Sequence, residues 1–319
     1  MKPENIATRD AYGDALAELG SENPNIVVLD ADLSKSTRTI TFAKKFPERF
    51  FNFGVAEQNM MNTAAGLATC GKIPFASTFA VFASGRAFDQ VRMSVCYARL
   101  NVKIVATHGG VSVGEDGASH QATEDIALMR ALPNMTVIVP CDGIETKKAV
   151  RAAAAYFGPI YMRLGRMKVP VLYDDDYQFE IGKSAKLREG KDVTLIANGA
   201  IVYPCLEAAK ILESQGIEAA VLDMHTVKPI DEVAIIRAAY ETGAIVTCEE
   251  HNIIGGLGSA VAEVLVENLP VPMKRLGLQN QFGESGDAHE LLNKYGLAPE
   301  NIAAVAIEVI QKKGAGVHK

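Results

Sequence analysis

The chain has 319 residues, 48% hydrophobic and 22% charged, enough for two separately cored globular domains and without the composition of disorder. A net charge of −6 and a pI near 5.6 leave no basic footprint for nucleic acid or anionic lipid, although a few arginines in one pocket for a small anion would not show in such a total. Five cysteines without a C-x-x-C pair encode neither a disulfide framework nor a metal site. With no signal-peptide core and no run of about 18 apolar residues, a soluble chain in a reducing cytoplasm is expected.

In chain order, "NIVVLD" (25–30) reads as the first strand, and Phe51 to Phe53 as the end of the second. Gly54 makes the turn and a small-residue helix runs from Val55 onward, with Glu57 in its first turn. "KIPFAST" (72–78), "VKIVAT" (102–107), "TVIVP" (136–140) and "PIYMRL" (159–164) follow as strands apolar at every position. Such strands belong in parallel sheets covered on both faces. "ETKKAVRAAAAYFG" (145–158) is an alanine-rich helix closed by Gly158. Residues 168–192 break this pattern and read as a linker without a helix.

Beyond it, "VTLIANGA" (193–200), "EAAVLDMHTVKP" (218–229) and "GAIVTCEEH" (243–251) alternate with helices again. The fold class is therefore α/β with two domains, each a mainly parallel sheet flanked by helices: residues 1–170, a linker at 171–190, and 191–312. The tail "KKGAGVHK" is expected to be loose, and no internal repeat is evident.

Ligands of open parallel sheets collect at the carboxyl ends of strands. There the sequence puts "DADLSKS", Glu57, "STFAVF" and the glycine-rich, histidine-bearing "ATHGGVSVGEDGASHQATED" (106–125), a stretch too irregular for a helix. Taken singly these residues have ordinary readings. Glu57 would complement a helix dipole, Phe79 and Phe82 would be core aromatics, Ser36 a helix cap, His108 a strand-end residue, and Arg9 and Arg166 surface charges.

Together, "GVAEQNM", "STFAVF", "ATHGGVSVGEDGASHQ", "RLGRMKVP" and "CEEHNIIGGLG", in this order and spacing, resemble the carboxyl-terminal half of transketolase: a pyrimidine-binding domain followed by the C-terminal domain. The resemblance spans nearly the whole chain. It implies thiamine diphosphate as cofactor, with Glu57 exchanging a proton with the aminopyrimidine ring. That role calls for a carboxyl raised above its usual ~4.3, which burial among apolar neighbours would supply. Phe79 and Phe82 would stack on the pyrimidine, and Gly85 stands where transketolases commonly place a third aromatic.

The resemblance further implies that Arg9, Ser36, His108 and Arg166 bind the donor's phosphate. It puts Asp116 and His120 on the sugar hydroxyls, His120 also handling protons, and Asp32 near cofactor and sugar. No G-D-G element for a diphosphate-bound Mg²⁺ is present. A second chain, an N-terminal transketolase subunit, is thus expected to supply it in an α2β2 assembly acting on sugar phosphates, leaving no metal ligands here. The β subunit of a 2-oxo acid dehydrogenase E1 component, a deoxyxylulose-phosphate synthase half and a non-catalytic partner of the same fold are the alternatives. "GEDGxxHQ" with paired arginines favours the transketolase reading over the E1 subunit, and retention of Glu57, Asp116 and His120 together argues against the non-catalytic one.

Overall fold

Strands apolar at every position need cover on both faces, and the computed structural model, which describes residues 4–315, provides it in two separate sheets. In chain order the strands are β1 Asn5–Ala7, β2 Ile26–Asp30, β3 Phe50–Asn52, β4 Ile73–Phe79, β5 Lys103–Thr107, β6 Thr136–Ile138 and β7 Ile160–Arg163. Then come β8 Lys168–Pro170, β9 Ala185–Arg188, β10 Val193–Ala197, β11 Ala219–Asp223, β12 Thr226–Lys228, β13 Ile245–Asn252 and β14 Met273–Leu278.

Seven of them form the larger sheet in the order β12-β6-β7-β5-β4-β2-β3, every pair parallel except β12 with β6. Alternate residues of β2 serve opposite layers, as the pleat requires. Ile26 and Val28 pack with Tyr12 and Leu16 of helix Thr8–Glu22 and with Val150 of helix Gly143–Ala155. Val27 and Leu29 pack with Met60 and Met61 of helix Glu57–Thr69. The smaller sheet, β14-β13-β10-β11-β9, is parallel apart from its edge strand β9. Leu195 and Val221 face helices Val202–Glu213 and Pro299–Ala315, while Ile196 and Leu222 face Glu232–Thr242 and Leu257–Asn268.

Three local readings change. The run 218–229 is two strands in two sheets. Met224 N–H still donates to Ala197 O (2.7 Å) at the end of β10, but His225 O already accepts from Val139 N–H (2.7 Å), and the chain crosses between the sheets there. The region read as linker carries β8, paired antiparallel with β1, and β9. The expected 145–158 helix runs Gly143–Ala155, because the Asp142 carboxylate caps it by accepting from Glu145 N–H and Tyr156 is already extended. Of the tail, residues 312–315 continue helix Pro299–Ala315, and the rest lies outside the described residues.

The connecting segment is seated, not free. Asp142 Oδ2 accepts from Leu172 N–H (2.6 Å) and Tyr173 N–H (3.0 Å). Tyr173 Oη–H donates to Asp223 Oδ2 (2.9 Å) and Tyr177 Oη–H to Glu145 Oε1 (2.8 Å), with the two rings stacked 3.8 Å apart. Burial drives the Glu145 carboxyl well above its ordinary range, with the nearby Asp223 charge adding to it. Burial likewise lifts Asp223 to about 6, against hydrogen bonds that pull it down. Both carboxyls therefore hold their protons to higher pH than exposed ones do.

Candidate active site

The polar residues of the larger sheet gather at the carboxyl ends of its parallel strands. After β3, Gly54 (φ +65°) turns the chain and the helix starts at Glu57, two residues later than the pattern indicates. Glu57 is 1% exposed. Its Oε1 accepts from Arg86 Nη1 (2.8 Å), while Oε2 is buried with no partner among the described residues. The carboxylate's surroundings are thus not purely apolar, as the sequence pattern implies: a guanidinium from the next strand–helix turn touches it.

Phe79 closes β4, and Phe82 opens a wide turn in which Ala87 N–H reaches back five residues to Phe82 O (3.2 Å). The widened turn lets both rings point to one side, nearly parallel (14°) with centroids 5.9 Å apart. His108, at the end of β5, lies against Phe79 with centroids 3.8 Å apart, and His120 presents an edge to Phe82 at 5.4 Å. A Cβ at Gly85 would meet nothing within 4 Å, so the missing aromatic leaves open space.

His108 adopts φ +60° and is buried. Arg9 Nη1, 3.2 Å away, can only donate, so Nε2 accepts and the ring proton sits on Nδ1, donating to Thr107 Oγ1 (2.8 Å). Burial, reinforced by the charges of Arg9, Arg166, His120 and Arg38, pushes its pKa down to about 3. It is a neutral imidazole at working pH. Arg9 also donates to Ser36 O (3.1 Å), which ties the "DADLSKS" loop to helix Thr8–Glu22.

Arg166 Nη1 donates to Val113 O and to Glu115 Oε2 (3.1 Å) and stands 4.0 Å from Asp116 Oδ2. Asp116 is exposed, and His120 is half-buried with Nδ1 on Ser119 Oγ (2.9 Å). Contacts thus link Arg9, the Ser36 carbonyl, His108, Phe79, Phe82 and His120 into one cluster. Arg166 and Asp116 face each other beside it. Asp32 stands apart: at φ +65° its N–H donates to Asn52 Oδ1 (3.1 Å) and its Oδ1 accepts from Asn52 Nδ2 (3.0 Å). Asn52 Oδ1 in turn accepts from Gly54 N–H (3.0 Å), so Asp32 reaches Glu57's turn indirectly.

Several residues that shape the site were missed. Asp30, fully buried, accepts from Leu33 N–H, Thr37 and Thr39 and so folds the "DADLSKST" loop; burial nonetheless raises its pKa. Gln121 Nε2 donates to Val111 O (3.1 Å) and across to Glu284 O (2.8 Å) in the smaller-sheet half. Glu250, from β13, accepts from Ser112 N–H directly over Gly110. Arg86 and Arg38 join the charged rim. Asp30 stands ahead of a run of hydroxyl residues, and Gln121 and Glu250 lie inside the quoted motifs, but their contacts with Glu284 and Ser112, like that of Arg86 with Glu57, join distant parts of the chain.

Polar residues at strand ends on two successive α/β units define a ligand-binding α/β protein, and comparison with known proteins narrows the class. The model of the transketolase pyrimidine binding domain matches residues 4–171, and that of the transketolase C-terminal domain matches residues 182–302. The chain belongs to the transketolase family, whose members depend on thiamine diphosphate.

It is 45% identical to the 6-deoxy-6-sulfo-D-fructose transketolase subunit SqwH of Clostridium sp., over 98% of this chain and 97% of the other. It is 41% identical to one of the subunits of the apulose-4-phosphate transketolase from Phocaeicola vulgatus, over 96% and 98%. The solved structure of a split-gene transketolase, an inactive β4 tetramer, superposes with a TM-score of 0.91 at 58% identity, covering 97% of this chain and 99% of that one. The transketolases of Homo sapiens and Rattus norvegicus match at 39% and 40% identity, and the chain spans about half their length. Among the described residues no helix is long and apolar enough to cross a membrane.

Proposed function

We propose that this chain is the C-terminal subunit of a two-chain transketolase, moving a two-carbon ketol unit from a ketose phosphate to an aldose. The observation that carries the reading is Glu57: a buried carboxylate at the sheet's ligand end with one oxygen bonded and the other left open. An unpaired buried oxygen is costly unless a ligand completes it. Near-parallel Phe79 and Phe82 offer apolar faces to a flat ring beside it. These residues fit the aminopyrimidine of thiamine diphosphate, with Glu57 holding the proton at the far ring nitrogen.

When bound, that cofactor supplies the nucleophilic carbon that accepts the two-carbon unit. The chain's own residues then divide the remaining work. Arg9, Arg166, Ser36 and neutral His108 bind the donor's anionic end, His120 and Asp116 hold the sugar hydroxyls, His120 moves protons near the reacting carbons, and Asp32 supports the cofactor side through Asn52 and Glu57's turn. We assign residues 1–170 to the pyrimidine-binding unit and 191–312 to the C-terminal domain.

The diphosphate and Mg²⁺ are assigned to a separate N-terminal subunit in an α2β2 assembly, in the cytoplasm. Relatives that match over their full length are named as subunits, and the solved relative made of β chains alone is inactive, which supports the division. The sulfonated sugar and the sugar phosphate in the names of those two relatives fit the same charge logic, since a sulfonate presents oxygens to guanidinium as a phosphate does. The test is to assay ketol transfer with thiamine diphosphate and Mg²⁺, first with this chain alone and then with the co-purified partner, across phosphorylated, sulfonated and branched donors. No turnover alone and turnover with the partner is expected. Full turnover by the single chain would overturn the two-chain reading.

A further inference from the structure

Glu57 and Arg86 form an unusual ion pair. Arg86 is 46% exposed and Glu57 1% exposed, so nearly all the desolvation falls on the carboxylate. An arginine serving only to neutralise it would offer its forked donors to both oxygens. Here a single Nη1–H reaches Oε1, and Oε2 is left buried and open. The same guanidinium lies over the Phe82 ring, its central carbon 4.4 Å from the centroid. It therefore covers Phe82, and Arg86 directly follows Gly85, where a Cβ would meet open space. Its backbone is fastened too: Gln58 Nε2, one residue after Glu57, donates to Arg86 O (3.1 Å).

We propose that Arg86 is a positioning residue for cofactor activation: by taking Oε1 it fixes Glu57 in the rotamer that presents Oε2 to the pyrimidine, and by covering Phe82 it braces that wall of the ring pocket. This rests on the reading of Glu57 as the residue that meets the pyrimidine. The contacts of Arg86 itself run to Glu57, Phe82 and Gln58. Its loss therefore acts on cofactor binding and activation and spares donor recognition, which lies with Arg9 and Arg166. The two functions of the guanidinium are separable by chemistry. A lysine keeps a cation for Oε1 but has no flat face for Phe82, whereas a glutamine keeps a flat donor and loses the charge.

The experiment compares wild type, Arg86→Lys, Arg86→Gln and Glu57→Gln in the complex with the partner chain. Three quantities are read: the dissociation constant of thiamine diphosphate at fixed Mg²⁺ by calorimetry, hydrogen–deuterium exchange at the bound cofactor's reactive carbon by quenched NMR, and donor KM. Urea unfolding of each variant chain checks the fold. Arg86→Gln is expected to slow exchange at least tenfold and weaken cofactor binding severalfold, with donor KM within twofold of wild type. Arg86→Lys is expected to recover most of the exchange rate and little of the affinity.

Wild-type exchange and affinity in Arg86→Gln, with Glu57→Gln inactive in exchange, would overturn the role of Arg86 alone. Wild-type exchange in Glu57→Gln would instead overturn the reading of Glu57, and this proposal with it. A parallel loss in exchange, affinity and donor KM, accompanied by a lower urea midpoint in both Arg86 variants, would reduce Arg86 to a structural brace and also overturn the proposal.

Discussion

Replacing Asp223 by Asn should stabilise the chain, and by an amount that depends on pH. Asp223 is fully buried at the seam where Tyr173 and Tyr177 of the connecting segment meet Glu145 and Cys141, with no cation against it among the described residues. Asp142, the other carboxylate close by, adds further negative charge. The folded-state pKa is raised from 3.8 to about 6, chiefly by burial. A carboxyl raised in this way holds its proton in the folded chain after the unfolded chain has lost it. Its contribution is therefore intact below about pH 4 and declines as pH rises to about 6. At 1.36 kcal/mol per pK unit the loss by pH 7 is about 3 kcal/mol.

Asparagine matches the protonated acid in shape, can still accept from Tyr173, and never ionises. The difference in unfolding free energy between variant and wild type should thus be near zero at pH 4, grow through pH 5, and level off near about 3 kcal/mol above pH 6. Urea unfolding at a series of pH values measures it. Tyrosine fluorescence is the natural probe because the chain has nine tyrosines and no tryptophan. A difference that stays constant from pH 4 to 8, or a variant less stable than wild type at pH 8, would refute the account of the seam.

Glu57→Gln should preserve the fold, since glutamine can still accept from Arg86, yet cut turnover of the reconstituted enzyme by about 10²-fold or more; unchanged turnover would mean that the cofactor is activated some other way. Arg9→Ala and Arg166→Ala should raise KM for phosphorylated donors more than they lower kcat, the mark of lost uniform binding, and equal effects on unphosphorylated sugars would remove the anion assignment. Gly110→Ala should be costly. Its φ of +83° disfavours any side chain, and a Cβ there would press into the Glu250 carboxyl, so a loss of about 2–4 kcal/mol in urea unfolding is expected, together with a raised donor KM.

Hydrophobic pattern alone determined that the chain builds two mainly parallel α/β units. A strand buried on both faces has to be apolar at every position, and β2, β5 and β10 are written that way. The approximate places of Glu57, Phe79 and His108 followed from the same fact, because strand ends in such sheets are where polar residues can meet a ligand, whereas Arg166 came only from the resemblance. What the pattern did not carry were contacts made across the fold. Residues 224 and 225 divide one apolar run between two sheets because their backbone groups bond to different neighbours.

Arg86 reaching Glu57, Gln121 reaching Glu284 and Glu250 bracing Ser112 join residues 29, 163 and 138 positions apart. Nothing in the local period of the sequence encodes such a meeting. The protonation of His108 belongs to the same category. A histidine at a strand end looks ready to titrate near neutrality, and its burial together with the charges of Arg9, Arg166 and Arg38 from separate elements keeps it neutral well into the acid range. Local sequence sets which faces are apolar and where the chain turns. The chemical state of each side chain at those turns depends on the distances and desolvation that folding brings.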